Sequence, residues 1–378
     1  MNNAGIYIHI PFCKSRCSYC DFATDVYRDN DSVERYVSAL VTEITNSELQ
    51  ITSRVETIYF GGGTPSLLSS NQLEKILFAI RQRFEFETNI EFTLEMNPAT
   101  VSLEKLRDFK SLGVNRASFG VQTFDDRALK ILARGHDSHD ARSTFALLRD
   151  AGYENISFDL IGGLPNQTLK DWEKNLDEAL ALDPEHLSLY LLEIHESTPL
   201  AEQIRSQRQP LPDEDLAGEM YELMVEKVGA GGFDQYEISN FSKPGYESKH
   251  NNKYWLCEPV FGFGVSAHSF DGRTQRWSNE RDTNKYVELV GNGRSPVAES
   301  TELTEKQLSA EFAFLNLRLT KGLDLICHKR KFGIDIRSAY FEKLKTAEEE
   351  GLIEYEKGFM RLTKKGRLYS NEVFEIFV

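Results

Sequence analysis

Along the first half of the chain, short runs of β-branched and aromatic residues alternate with longer stretches whose apolar positions recur at helical spacing. That alternation predicts repeated βα units around a parallel sheet. Six strands are expected, at 5–10, 57–60, 89–95, 116–120, 156–161 and 186–192. The intervening helices are expected over 32–47, 71–83, 103–112, 125–133 with 138–151, and 169–182. Several of them open on residues whose side chains accept a bond from free helix-start amides, such as Ser32, Asn71 and Asp125. Six units are fewer than the eight of a closed barrel, so the expected core is a partial, laterally open (β/α)6 barrel over 1–205, suited to a large ligand.

Beyond that point the pattern changes. The stretch 206–213, with Pro210 and Pro212, reads as a connection out of the barrel, and 236–270 is rich in aromatics without a clear period. Together they are expected to form a mixed α/β extension over 206–300. From Thr304 come helices, a pair of short strands at 353–355 and 360–362, and Thr363-Lys364-Lys365-Gly366 leading into a last helix. This succession predicts a winged-helix-like domain over 301–378. Glu348-Glu349-Glu350 beside the wing turns the expectation from DNA contact to packing or partner recognition.

Charge strengthens that preference: 44 basic against 59 acidic residues leave a net charge of −15, so no nucleic-acid partner is expected. No apolar run has membrane length and Met1 to Pro11 lack the pattern of a secretory leader, so a cytoplasmic protein without stable membrane insertion is expected.

Five cysteines include three within eight residues, Cys13, Cys17 and Cys20, directly after the first strand; Cys257 and Cys327 stand alone and read as small hydrophobes. Three thiolates can hold three corners of a cubane iron–sulfur cluster and leave one iron free for an exogenous ligand. C-x-x-x-C-x-x-C is thus the pattern of a radical S-adenosylmethionine (SAM) protein. In such a protein a [4Fe-4S] cluster passes an electron that breaks a sulfur–carbon bond of SAM and yields a 5′-deoxyadenosyl radical. A zinc site competes, with His9 nearby, but zinc normally takes four protein ligands in a structural site. The fold class is therefore α/β, a partial (β/α)6 TIM-type radical SAM barrel with a C-terminal winged-helix-like domain.

The second strand ends in Phe60-Gly61-Gly62-Gly63-Thr64-Pro65, where the absence of side chains lets backbone approach the methionine part of the cofactor. Glu95, Gln122 and Asp159 fall at later strand ends, with Arg134 at the end of a helix, on the face where barrel active sites sit. Gly262-Phe263-Gly264-Val265-Ser266-Ala267 fits a dinucleotide fingerprint superficially, but it opens no βαβ unit and reads as a tight turn near the cofactor, with His268 a candidate for the same pocket.

Tyr7-Ile8-His9-Ile10-Pro11-Phe12-Cys13, Gly61 to Pro65, Gly120-Val121-Gln122 and Asp159 to Pro165 together resemble the oxygen-independent coproporphyrinogen III oxidase family, over nearly the whole chain. The resemblance implies cluster ligation by Cys13, Cys17 and Cys20, and SAM contacts by Tyr7, Gly62 and Glu95. It further implies that Tyr19, Gly63, Thr64, Gln122, Arg134 and Asp159 match residues that hold a second SAM in the oxidases. Phe22 stands where the oxidases have another cysteine, their long N-terminal extension is not matched, and His250-Asn251-Asn252-Lys253-Tyr254-Trp255 matches an H-N-x-x-Y-W motif of the family's haem chaperone branch. That motif is compatible with haem: His250 as an iron ligand, Tyr254 or Trp255 as an apolar face with a polar edge. The expected function is haem binding and transfer to acceptor proteins such as respiratory enzymes, with an electron donor for the cluster. The alternative is radical decarboxylation of coproporphyrinogen III.

Overall fold

The computed structural model describes residues 3–49 and 54–378. Six strands, β1 (Ala4–Ile10), β2 (Val55–Gly62), β3 (Phe86–Met96), β4 (Arg116–Gln122), β5 (Ile156–Gly162) and β6 (His186–Leu191), lie side by side in chain order, every neighbour parallel. These are the six expected strands. Along each, alternate residues face opposite sides. One set, including Ile6, Ile8, Phe60, Leu94, Phe119 and Leu160, is buried in the main hydrophobic cluster beneath the helices. The other set is polar: Tyr7 and His9, Thr57 and Tyr59, Thr93 and Glu95, Arg116 and Ser118, Ser157 and Asp159, His186 and Ser188. A closed barrel fills its interior with branched apolar side chains; this polar lumen is built to hold something else.

The sheet does not end with the barrel. Val260–Phe263 pairs in parallel with β1, and His268–Phe270, Gln275–Asn279 and Val297–Glu302 follow antiparallel. At the other edge Asn240–Ser242 and Asp234–Gln235 add to β6, which brings the described sheet to twelve strands. The region 236–270 lacked a clear period because its elements are strands of three and four residues around the seven-residue helix Lys249–Trp255. Helices Pro199–Arg205 and Glu214–Ala230 flank the proline-containing connection.

Two caps differ from expectation. The first helix begins at Asn30, and Asp29 caps it by accepting from the Ser32 amide at 2.7 Å. The second begins at Ser70, capped by Ser69 in a reciprocal box with Gln72. In both cases another capping residue lies slightly upstream, so Ser32 and Asn71 fall inside the first turn. Asp125 does cap its helix.

Residues from Glu305 build a separate hydrophobic cluster around Ala313, Leu317, Leu323, Met360 and Leu362. Helix Glu305–Arg318, short strand Leu323–Asp324, helices Leu325–Phe332, Ile336–Ala339 and Phe341–Glu349, and the hairpin Ile353–Glu356 with Phe359–Leu362 follow the order of a winged helix. Arg318 stacks over Trp255 with its guanidinium carbon 4.4 Å from the ring, and Asn316 donates to the Trp255 carbonyl at 3.0 Å, joining this unit to the helix that carries H-N-x-x-Y-W.

Candidate functional site

The cysteine loop is pinned at its base and on its flanks. Asp25 N–H donates to Pro11 O at 2.8 Å and Tyr27 N–H to Cys13 O at 2.7 Å. Ser18 bonds through its amide to Leu132 O and through its hydroxyl to Ile131 O, Ser197 donates to Asp21 at 2.8 Å, and Arg281 donates to the Asp21 carbonyl at 2.9 Å. Beneath the loop, His9 Nε2 lies 2.9 Å from Ala23 O and Nδ1 lies 3.0 Å from the Tyr7 hydroxyl. A carbonyl only accepts, so Nε2 carries the proton and Tyr7 donates to Nδ1. Burial lowers the His9 pKa to about 4, which keeps that neutral tautomer.

Two thiols share one polar chain. Arg134 donates to Cys17 Sγ at 3.3 Å, to Gly120 O at 2.6 Å and to Asn97 Oδ1 at 2.8 Å; Asn97 donates to Thr64 Oγ1 at 2.8 Å; Thr64 donates to Cys13 Sγ at 3.5 Å. Tyr19 adds its hydroxyl 3.5 Å from Arg134 and its ring to the small cluster of Leu132, Ile161, Leu164 and Leu200. Burial pushes the Cys13 thiol up to about 11, with the neighbouring cysteines adding to the rise and Thr64 opposing it. Donors aimed at two of the sulfurs suit thiolates, and the buried, unpartnered Nε of Arg134 leaves one more donor for an acceptor such as a cluster sulfide. Among the described residues no group of three or more His, Cys, Asp or Glu is set to hold a single metal ion. Three thiols suit three corners of a cubane, whereas a structural zinc site takes four protein ligands.

The glycine turn ends β2 under steric compulsion. A Cβ on Gly63 would lie 2.7 Å from the Pro11 carbonyl and 2.8 Å from Phe12 O, so the turn is wedged against the cysteine loop. Gly62, at φ +106°, donates its amide to Glu95 Oε2 at 3.2 Å, and Tyr59 donates to Oε1 at 2.5 Å. Burial raises the Glu95 carboxyl to about 7, and raises Asp159, which accepts from Ser188, to about 6. Gln122 sits at a bulge between β4 and β5 with φ +69°, a left-handed conformation uncommon outside glycine.

The H-N-x-x-Y-W helix plugs the opposite, N-terminal end of the barrel. Glu91 on β3 caps it, accepting the amides of Lys249 and His250 at 2.9 Å each. His250 and Tyr254, four apart, share one helix face. That face points into the lumen, where His250 stacks on Tyr59 with ring centroids 5.0 Å apart. Both its ring nitrogens are engaged, by Thr57 at 2.8 Å and Tyr254 at 3.0 Å, and burial lowers its pKa to about 3. Tyr254 keeps 39% of its surface open. Trp255, one residue on, turns away toward the terminal domain, so the structure separates the two aromatics of the motif. His268 is exposed and lines a cleft of about 300 Å³ with Tyr254 and Cys257, apart from His250. The turn at Gly264 is held by Glu43, which accepts from the Gly264 amide at 2.8 Å and from Tyr286 and Asn279.

The candidates fall into two groups. Tyr7, Tyr19, Gly62, Gly63, Thr64, Glu95, Gln122, Arg134 and Asp159 gather with the cysteines toward the C-terminal strand ends; His250 and Tyr254 lie at the floor; Trp255 lies outside. Tyr59, Asn97, Thr57 and Arg116 escaped the sequence reading, although the polar member of each strand's alternation marked three of them.

An open parallel barrel with a thiol loop after β1 and a glycine turn after β2 defines a radical SAM protein, and residues 7–179 match the Radical SAM superfamily. Residues 303–369 match the HemN C-terminal domain. The chain is 40% identical over 374 residues to "Heme chaperone HemW" of Bacillus subtilis (strain 168), covering 98% of each, and 32% identical over 380 residues to the Escherichia coli (strain K12) protein of that name, covering 99% and 97%. The chain belongs to the HemW family of haem chaperones. Among solved structures, coproporphyrinogen III oxidase (HemN) from Escherichia coli superposes with a TM-score of 0.88 over 99% of this chain and 90% of that one, at 23% identity, a likeness of fold.

Proposed function

We propose that the chain binds haem and hands it to acceptor proteins, with a [4Fe-4S] cluster and SAM in the barrel controlling loading or release. The observation that carries this reading is the plug helix: H-N-x-x-Y-W presents His250 and Tyr254 to the same lumen whose far end holds the thiol loop. Cys13, Cys17 and Cys20 would hold the cluster, with Tyr7, Gly62 and Glu95 around SAM and Tyr19, Gly63, Thr64, Gln122, Arg134 and Asp159 beside them. When bound, the cluster supplies an electron to the sulfonium of SAM. The protein's own groups then do the positioning: Glu95 presents a carboxylate to the amino group, and Arg134 steadies the thiolate of Cys17.

His250 serves as haem ligand in this reading. Burial keeps its imidazole neutral, the form that binds iron, but Nε2 becomes free only when Tyr254 swings away. Haem binding thus requires a rotation of Tyr254. Of the three-part division at 1–205, 206–300 and 301–378, the separate cluster after Glu305 supports the last boundary, whereas 206–300 shares the sheet and core of the barrel. An electron donor and acceptors among respiratory enzymes belong to the same proposal, as does a cytoplasmic location; no helix of the described residues is long and apolar enough to cross a membrane.

Coproporphyrinogen III decarboxylation is the second reading, favoured by the retained Gln122, Arg134 and Asp159. Anaerobic reconstitution of the cluster followed by parallel assays separates the two. Haemin should give a saturable Soret change, and coproporphyrinogen III should stay unconverted. Robust formation of protoporphyrinogen would overturn the chaperone reading, and a Soret change that survives His250→Ala would overturn the ligand.

A further inference from the structure

Deep in the lumen one guanidinium is left without a hydrogen-bond acceptor. Arg116, the first residue of β4, is 2% exposed, and among the described residues its side chain makes no hydrogen bond or ion pair; its Nε is buried without a partner. Beside it in register on β3 is Thr93, fully buried, whose hydroxyl is also unpartnered. Glu95 and Asp159 act on Arg116 through charge, but the hydrogen bonds of the lumen's carboxylates go elsewhere. Glu91 caps the plug helix, Glu95 takes Tyr59 and Gly62, and Asp159 takes Ser188. A guanidinium cannot shed its proton, and its buried donors find no acceptor among these neighbours, so an acceptor belongs there.

We propose that Arg116 and Thr93 form a carboxylate-binding site on the floor of the barrel. The guanidinium fork matches the two oxygens of a carboxylate, and the Thr93 hydroxyl supplies a further donor from the adjacent strand. Two ligands could bring that group: a haem propionate, which rests on the haem reading above, or the methionyl carboxylate of SAM. Arg116 stands four residues below Gly120, the level at which Arg134 reaches the thiols, so about 13 Å of strand separates them. A tetrapyrrole with its side chains spans such a gap more readily than a carboxylate held beside the thiol loop, and the propionate is favoured.

Haemin, haemin dimethyl ester and SAM, titrated separately into the anaerobically reconstituted chain, test the site. Wild type should hold haemin about tenfold or more tighter than the diester, and Arg116→Gln should erase that preference while leaving diester affinity unchanged. A loss of SAM affinity instead would support the site with the methionyl carboxylate as its occupant. If Arg116→Gln leaves haemin and SAM affinities unchanged, or weakens haemin and diester equally, the site is refuted. Thr93→Val removes only the hydroxyl; a preference narrowed a few-fold supports the site, an unaltered one counts against it, and this variant decides should Arg116→Gln not fold. Wild type that binds neither haemin nor its diester would sink the haem reading, and the SAM titration would then decide the site by itself.

Discussion

Glu95→Gln should raise the stability of the cofactor-free protein and lower its affinity for SAM. Burial lifts this carboxyl from 4.5 to about 7. Its folded pKa therefore lies above its unfolded one, the folded chain binds the extra proton, and stability falls as pH rises between those values. The full step corresponds to about 3 kcal/mol, fully present above neutrality and absent in acid. Glutamine escapes that penalty but loses an acceptor: its oxygen can serve the Tyr59 hydroxyl or the Gly62 amide, not both, at about 1 kcal/mol. The variant should therefore gain about 2 kcal/mol at about pH 8, and the gain should shrink by about that much near pH 5. Urea melts of the metal-free wild type and variant at the two pH values measure this directly. SAM affinity, in the same reading, drops about tenfold with the ammonium's partner. Stability differences that run parallel with pH would refute the claim that burial raises the Glu95 carboxyl.

Replacing Cys17 with serine should bring the brown absorbance and bound iron to background, because one cluster corner and the acceptor of Arg134 disappear together; unaltered iron content would rule the loop out as a cluster site. Tyr254→Phe frees Nε2 of His250, so haemin should bind about three- to tenfold tighter in a Soret titration, and weaker binding would argue against iron coordination there. Gly63→Ala forces a methyl within 2.7 Å of the Pro11 carbonyl, which should destabilise the chain by about 1–3 kcal/mol in urea and reduce iron retention; a variant with wild-type iron content would show that the loop yields easily.

The barrel was legible because each of its strands carries a run long enough to show itself, and because the helices between them repeat at 3.6. The cysteine spacing and the glycine turn were legible for a related reason, being local in sequence. What escaped was non-local. Nothing at Val260–Phe263 announces that it pairs with β1, and nothing at His250 announces that Thr57 and Tyr254 take both its nitrogens. The polar face of the strands was present in Thr93, Arg116 and Ser118 all along, but a polar residue in a strand usually signals solvent. Only the curling of the sheet around a lumen changes that meaning.

The pairing of Val260–Phe263 with β1 also governs how the chain is made. As the ribosome releases the chain, the barrel strands emerge first, and β1 presents a bare edge of amides and carbonyls until residue 263 has appeared. Such an edge recruits strands from other chains. A contact spanning most of the sequence forms slowly, and while it waits the partly assembled sheet is open to misassociation. The late strand thus acts as the clasp of the barrel: chains truncated ahead of it should accumulate as aggregates even though all six βα units are intact.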